Sequence, residues 1–330
     1  MTKRFLAAAA AALMIALVPA SAAAAASGTA LPVLAKSEYR IGPGVKTAAG
    51  PAAGTKNGAG SLKKDYVSKT GLPGNFRLSC GEWTKSHIKK VGKKKAAQVS
   101  RQGLDTLRVS GSAQPSPAGL ALVRDEILDK APGSEIWIVD LRQETHFFAD
   151  DVVMTVTGFD NTANYGKSTE EVLALEEELI RTQADGELAG KNLFTEQQAA
   201  EALGMHYVRF AITDHYFPEP AMVDEILRFY YSLPENAWVH FHCRAGKGRT
   251  TSLCLMFDIL RNPDLDYETL ALRQYLLGGK NMLDEVSVHS LDGILMKQSK
   301  MLPLFYQYVN TERFSDSPLS WSEWLSRSGY

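Results

Sequence analysis

The sequence predicts an α/β fold, and three observations carry that expectation. Helical patterns at 117–130, 168–181, 195–203, 219–233, 248–261 and 267–277 alternate with short apolar runs of strand type, among them 136–139 and 207–212. The run Val239-His-Phe-His242 passes through a glycine-containing loop straight into an apolar helix, a strand–loop–helix unit. About 270 residues remain after a compositionally distinct N-terminus, enough for one large core with a small subdomain appended.

From the N-terminus, residues 1–26 read as an export signal: Lys3 and Arg4, an apolar core from Phe5 to Val18 too short to span a membrane comfortably, and Ala20-Ser-Ala22 as a small-residue cleavage site. This reading makes the mature chain secreted or periplasmic, with cleavage near Ala22. Residues 27–60, rich in Ala, Gly, Pro, Thr and Ser without periodicity, read as a flexible leader, and 61–330 as the folded domain. Lys85, Lys89, Lys90, Lys93, Lys94, Lys95 and Arg101 form a basic run that suits a solvated helix face better than an electropositive rim. Thr195 with Gln198 makes a capping box at one helix start. The 36 Lys and Arg nearly balance 37 Asp and Glu, for a net charge of −1 that becomes −3 without Lys3 and Arg4. Such a chain lacks the basic surplus of a nucleic-acid binder and suits a small anionic substrate. Of three cysteines, Cys254 reads as a buried small hydrophobe, and Cys80 as free or able to pair with Cys243 on oxidation. The seven histidines form no HExxH or Cys/His cluster of zinc type, and no cofactor is expected.

Chemistry concentrates at 242–251, His-Cys-Arg-Ala-Gly-Lys-Gly-Arg-Thr-Thr. Arg249 stands six positions after Cys243, so a tight loop can curl its backbone N–H groups round one centre, and Gly246 and Gly248 allow the dihedrals that curling needs. The helix opening near Thr250 points its N-terminal amides at the same centre, which makes the loop a phosphate cradle. That field, with Arg244, Lys247 and Arg249, favours the Cys243 thiolate as a nucleophile. Arg249 can fork two hydrogen bonds onto a phosphoryl group, which a lysine cannot. No carboxylate lies between His242 and Phe257, so no metal is expected here and charge stabilisation falls to backbone dipoles and Arg249. Cleaving a phosphomonoester leaves an alkoxide, and a carboxylic acid placed to protonate it contributes roughly 10²–10⁴-fold. Asp214, between the strand-like run 207–212 and Pro218, is the candidate, although an ordinary turn aspartate has the same local sequence.

His-Cys-x5-Arg-Thr resembles the signature of cysteine-dependent protein tyrosine phosphatases, and His242 to Thr251 is most similar to the loop of the tyrosine-phosphatase-like inositol phosphatases, the bacterial cysteine phytases. Asp214-His-Tyr-Phe-Pro218 matches their acid-loop pattern and Val139-Asp-Leu-Arg-Gln-Glu-Thr-His146 their Asp-Leu-Arg-Gln-Glu segment. Leu72-Pro-Gly-Asn-Phe-Arg77, Ser110-Gly-Ser-Ala-Gln114, Thr195-Glu-Gln-Gln198, Gly204-Met205 and Trp321-Ser-Glu-Trp-Leu325 extend the resemblance over most of the folded domain. It implies a cysteine-phosphatase core, a central sheet flanked by helices, plus a small partial β-barrel from segments around Arg77 and roughly 147–195.

The resemblance also implies a reaction: hydrolysis of myo-inositol polyphosphates such as phytate through a phosphocysteine. Cys243 attacks, Arg249 and the loop residues Arg244, Ala245, Gly246, Lys247 and Gly248 hold the phosphoryl group, and Asp214 is the acid. Thr250 donates to the Cys243 sulfur and His242 supports the loop. His215 fits a donor to substrate phosphates and a plain loop histidine equally. Arg244 and Lys247 add charge suited to a multiply phosphorylated substrate. Arg77, Lys191 and Lys300, with Lys280 and Lys297, are the distal contacts left to a chain shorter than the family between 186 and 193 and divergent after Gly278-Gly279. Of the charged groups ending the strand before Glu144, Asp140 reads as part of a structural ion-pair network rather than the cleft wall. The rival readings are an exported protein-tyrosine, dual-specificity or phosphoinositide phosphatase, and a phosphate-binding module without turnover. A binding module has no need of Cys243, Arg249 and Asp214 together.

Overall fold

A computed structural model describes residues 60–65, 67, 70–284, 289 and 291–330. The expected export signal, and the leader up to residue 59, lie outside the described residues. In chain order the elements are β1 (Ser61–Lys64), β2 (Arg77–Leu78), α1 (Lys85–Val91), α2 (Lys93–Gln98), β3 (Val109–Ala113), α3 (Pro117–Lys130), β4 (Glu135–Arg142), β5 (His146–Ala149), β6 (Val152–Thr157), α4 (Thr169–Ala184), β7 (Leu193–Phe194), α5 (Glu196–Ala202), β8 (His206–Ile212), α6 (Pro220–Ser232), β9 (Ala237–Cys243), α7 (Gly248–Arg261), α8 (Tyr267–Leu276), α9 (Gln298–Glu312) and α10 (Trp321–Arg327). Helix starts follow their local chemistry. Ser116 accepts from Gly119 N ahead of Pro117, and reciprocal capping boxes at Ser168/Glu171, Thr195/Gln198 and Ser320/Glu323 open α4, α5 and α10.

The large sheet has the order β2-β3-β9-β4-β8, with β2 antiparallel to β3 and the other neighbours parallel. Alternation along its central strands sorts the residues. Val139 and Leu141 of β4 and Val239, Phe241 and Cys243 of β9 face one core, closed by α6 to α10. Ile136 and Ile138 of β4 and Trp238 of β9 face the other, closed by α3, α5 and part of the small sheet. The expected α/β core, a sheet flanked by helices, is the architecture observed. The small sheet runs β1-β6-β5-β7, all antiparallel. Where a partial barrel was expected, the described residues form this four-stranded sheet. Arg77 is not part of it: Arg77 pairs with Gly111 at the edge of the large sheet, because its guanidinium is needed beneath the cysteine loop.

β9, β4 and β8 all end at one edge of the large sheet, where Cys243, Arg142 and the segment after Ile212 meet, the usual place for a site on a parallel sheet. Among the described residues no helix is long and apolar enough to cross a membrane. Behind the acid loop, Trp321 is fully buried against Phe217, Phe305, Tyr308 and Trp324. Trp321→Ala is expected to remove about 3–5 kcal/mol of folding free energy, read as a lower urea midpoint with an unchanged slope.

Candidate active site

The loop between β9 and α7 is held open from outside. Four successive carbonyls, those of Arg244, Ala245, Gly246 and Lys247, accept from Gln114 N, Asn75 Nδ2, Arg77 Nη1 and Thr251 N at 3.3, 2.9, 2.8 and 2.9 Å. In a trans peptide the N–H points away from its carbonyl, so the amides of 245 to 248 are turned inward to one centre. Gly246 is indispensable to this turn: its φ is +68°, and a Cβ there would lie 2.3 Å from Ala113 N and 2.4 Å from Ser112 C. Thr250, in the first turn of α7, donates to Cys243 Sγ at 3.1 Å, as expected.

Arg249 is 1% exposed and pairs with Glu144 in two-pronged fashion, Nη1 to Oε2 at 2.6 Å and Nη2 to Oε1 at 2.9 Å. Nη1 also reaches the carbonyl of Ile212 at 3.0 Å, and Nη2 lies 3.1 Å from Asp214 Oδ1. Its Nε is buried and has no hydrogen-bond partner among the described residues. Burial would raise the Glu144 carboxyl, but Arg249 and Arg142 outweigh it and hold the group well below the usual carboxylate range. Burial likewise opposes the charge on Arg249, and Asp214 and Glu144 more than restore it. One cation is thus shared between a permanent anion and the candidate acid.

Beneath the loop, the second face of the sheet turns from apolar to charged. Ser112, His242 and Asp140 stand in register across β3, β9 and β4. His242 Nε2 lies 3.2 Å from Glu196 Oε1, and His146 Nε2 lies 3.2 and 3.3 Å from Glu196 Oε2 and Asp140 Oδ2. Arg209 of β8 pairs with Asp140 at 3.1 Å and Glu176 at 2.7 Å, and donates to the carbonyls of Arg142 and Glu144 at 2.9 and 2.7 Å. Burial disfavours the charged ring of His242, yet Glu196 and Asp140 raise its pKa, so it stays the more readily protonated. His240, two residues back, goes the other way: burial and the neighbouring His242 push it well down, and Ser110 and Ser112 bond its two ring nitrogens. Asp140, His146 and Glu196 are close enough together to ring a metal ion, but Arg209 and His242 already balance their charge.

A sequence profile of the PTP-like phytases, described as inositol hexakisphosphate, matches residues 180–261. The PTP-like myo-inositol phosphatase from Mitsuokella multacida, solved with myo-inositol-(1,3,4,5)-tetrakisphosphate, is 33% identical with a TM-score of 0.71, covering 82% of this chain and 49% of its own. A PTP-like phytase from Bdellovibrio bacteriovorus is 28% identical with a TM-score of 0.64, covering 82% of this chain and 96% of its own. Residues 180–261 thus match a PTP-like phytase domain, and the two solved neighbours are PTP-like phytases. The effector protein hopD2 of Pseudomonas syringae pv. tomato is 30% identical over 220 residues, 59% of this chain and 47% of that protein. The chain therefore spans about half the length of the Mitsuokella and Pseudomonas relatives.

Within this site the structure places the expected residues unevenly. Cys243, Arg249, Thr250 and Asp214 gather at the loop, while the His242 ring lies on the other face of the sheet against Glu196. His215, with φ +72°, sits beside the acid, its Nε2 3.7 Å from Asp214 Oδ2, and stacks on His289 at 3.9 Å between ring centroids. Asp140 belongs to the buried ion-pair network, as read. Other expectations need correction. Arg77 is a buried brace on Gly246 O and Thr251 Oγ1 rather than a free distal cation. Arg244 and Lys247 stay at the loop, where Asp65 and Asn161 hold the first and the Gly278 carbonyl the second, partners the sequence reading did not include. Lys191 pairs with Asp150 at 2.8 Å, at the end of the β5–β6 hairpin away from Glu144. Lys300 is exposed on α9 without a described contact to the loop. Cys80 packs with the core on the face of the sheet opposite Cys243, so the sheet separates the two thiols. Burial pushes the Cys254 thiol up to about 11, in keeping with a core role. Glu196, Arg209, Asn161 and Asp65 were not anticipated. Glu196 lies within Thr195-Glu-Gln-Gln198 and Arg209 within the strand-like run 207–212, while Asn161 and Asp65 lie in no segment with a sequence signal.

Glu144→Ala leaves the Arg249 guanidinium buried without its main anion, and urea unfolding at neutral pH is expected to show a loss of about 3–5 kcal/mol. The folded-state pKa of Glu144 is depressed, so its contribution is complete above the ordinary glutamate pKa of about 4.3 and fades as pH falls. The stability gap between wild type and Glu144→Ala is therefore expected to narrow in acid.

Proposed function

We propose that this protein is an exported phosphomonoesterase that hydrolyses inositol polyphosphates through a phosphocysteine. The observation that carries the reading is the convergence of three groups: Cys243 under inward-turned loop amides, Arg249 with Nε unpartnered among the described residues, and Asp214 3.1 Å from Arg249 Nη2. Cys243 attacks phosphorus, Arg249 and the amides stabilise the charge that develops on the phosphoryl oxygens, and Asp214 protonates the departing alkoxide before deprotonating the water that releases phosphate. No step calls for a metal. The inositol substrate is supported by the family profile and by the tetrakisphosphate held in the Mitsuokella structure. Export is supported by Lys3, Arg4 and the apolar stretch after them. A second reading, a phosphatase acting on phosphoproteins, has behind it the likeness of His242 to Thr250 to the His-Cys-x5-Arg-Thr signature of protein tyrosine phosphatases.

Phosphate release from inositol hexakisphosphate, a phosphotyrosine peptide and a phosphoinositide, measured in EDTA, separates these readings. Turnover of the inositol phosphate is expected, abolished in Cys243→Ser and about 10²–10⁴-fold lower in Asp214→Asn. Turnover that survives Cys243→Ser overturns the mechanism, and turnover confined to the peptide overturns the substrate.

A further inference from the structure

The carboxyl of Asp214 is gripped on both oxygens. Oδ1 accepts from the His215 backbone N–H at 3.0 Å and lies 3.1 Å from Arg249 Nη2. Oδ2 accepts from Asn161 Nδ2 at 2.8 Å. The Asn161 amide can face only this way. Its Oδ1 receives Arg244 Nη1 at 3.0 Å, and a guanidinium only donates where a carboxylate only accepts. Arg244 is fixed in turn by Asp65, whose Oδ1 takes Nε and Nη2 at 3.0 and 2.9 Å. Asp65 Oδ2 accepts from Thr155 at 2.7 Å and lies 3.2 Å from Arg142. Burial opposes the Asp65 charge, but Arg142, Thr155 and Arg244 keep its carboxyl below the usual range, so the anchor stays anionic. The turn Phe159–Asn161 that presents the amide carries two left-handed residues, Asp160 at φ +49° and Asn161 at φ +56°, a conformation asparagine and aspartate tolerate better than most.

We propose that Asn161 is a positioning residue for the proton donor, setting the rotation of the Asp214 carboxyl from an anchor on the small sheet. The proposal rests on the reading of Asp214 as the acid. Oδ1 already meets two donors, which fill its lone-pair directions, while Oδ2 meets one and keeps the other for a proton. Oδ2 is thus the oxygen that delivers. Its O–H bond breaks as the proton passes to the ester oxygen, whose bond to phosphorus breaks while the sulfur–phosphorus bond forms. In the second step the same carboxylate takes a proton from the attacking water, phosphate leaves and the thiolate returns. Asn161 exchanges no proton and holds the carboxyl at the angle both transfers use.

Asn161→Gly tests this, since glycine keeps the left-handed backbone without strain and removes only the amide. Two substrates are compared: inositol hexakisphosphate, whose alkoxide needs a proton, and p-nitrophenyl phosphate, whose leaving group departs without one. The expected result, with kcat read as the single-turnover rate of phosphocysteine formation because its later hydrolysis uses Asp214 on both substrates, is kcat lower by about 10- to 100-fold on the first with KM within about 3-fold, and lower by less than about 3-fold on the second. Equal losses on both substrates overturn the proposal, because a distorted loop or fold would produce them. Unchanged kcat on both overturns it, as does a change confined to KM, which marks a phosphate contact instead. Asp214→Asn is measured alongside. If it shows no dependence on the leaving group, the acid assignment fails and takes the proposal with it; if it does and Asn161→Gly does not, the proposal alone fails.

Discussion

A guanidinium sealed from water has to be neutralised, and the two-pronged contact of Glu144 with Arg249 is the constraint around which the site is arranged. It requires Glu144 to sit at the C-terminal end of β4, where the bulge between Asp140 and Arg142 turns the chain. The turn in turn requires Arg209, whose donors take up the carbonyls of Arg142 and Glu144. Arg209 needs Asp140 and Glu176 as counter-ions, and Asp140 with Glu196 then sets the state of His242, the residue before the thiol. Each link is a buried charge that would be costly alone and is tolerable only because the next is present.

The same logic explains why one face of the sheet is packed with polar side chains. Trp238 Nε1 donates to Ser110 Oγ, Ser110 and Ser112 bracket His240, and Gln114 joins Arg142 to Glu196. Leucine and valine there would pack as well, but they could not link Arg142 to Glu196 or bond both nitrogens of the His240 ring.

What the sequence showed plainly was whatever is local along the chain. The strand, loop and helix from 237 to 261, the acid segment at 214–218 and the Thr195 capping box are each a run of neighbours whose chemistry reads directly. Helix α9 escaped because Pro303 interrupts its pattern, and α10 is only seven residues long. The charges at 85–95 follow the solvated reading, with no residue of α1 buried and Lys95 paired to Glu268 at the surface. Asn161, Asp65, Arg209 and Glu196 were illegible for one shared reason. Their partners stand 30 or more positions away in sequence, and nothing in a turn asparagine or a helix-start glutamate says which strand end it will face. Arg244 and Lys247 suit substrate phosphates by type and place, and the fold gives each an oxygen acceptor that the local sequence does not reveal.

The position of β9 carries a consequence for how such a molecule is made. In the large sheet it lies between β3 and β4, yet in sequence it comes after β8. A chain growing from its N-terminus produces β2 with β3, then β4 with β8, and must hold the inner edges of these two pieces apart until the last strand slots between them. That strand is the one ending in Cys243. The thiol therefore arrives with the piece that closes the sheet, and its amides, its arginine and its acid gather round it only when the two halves have been joined.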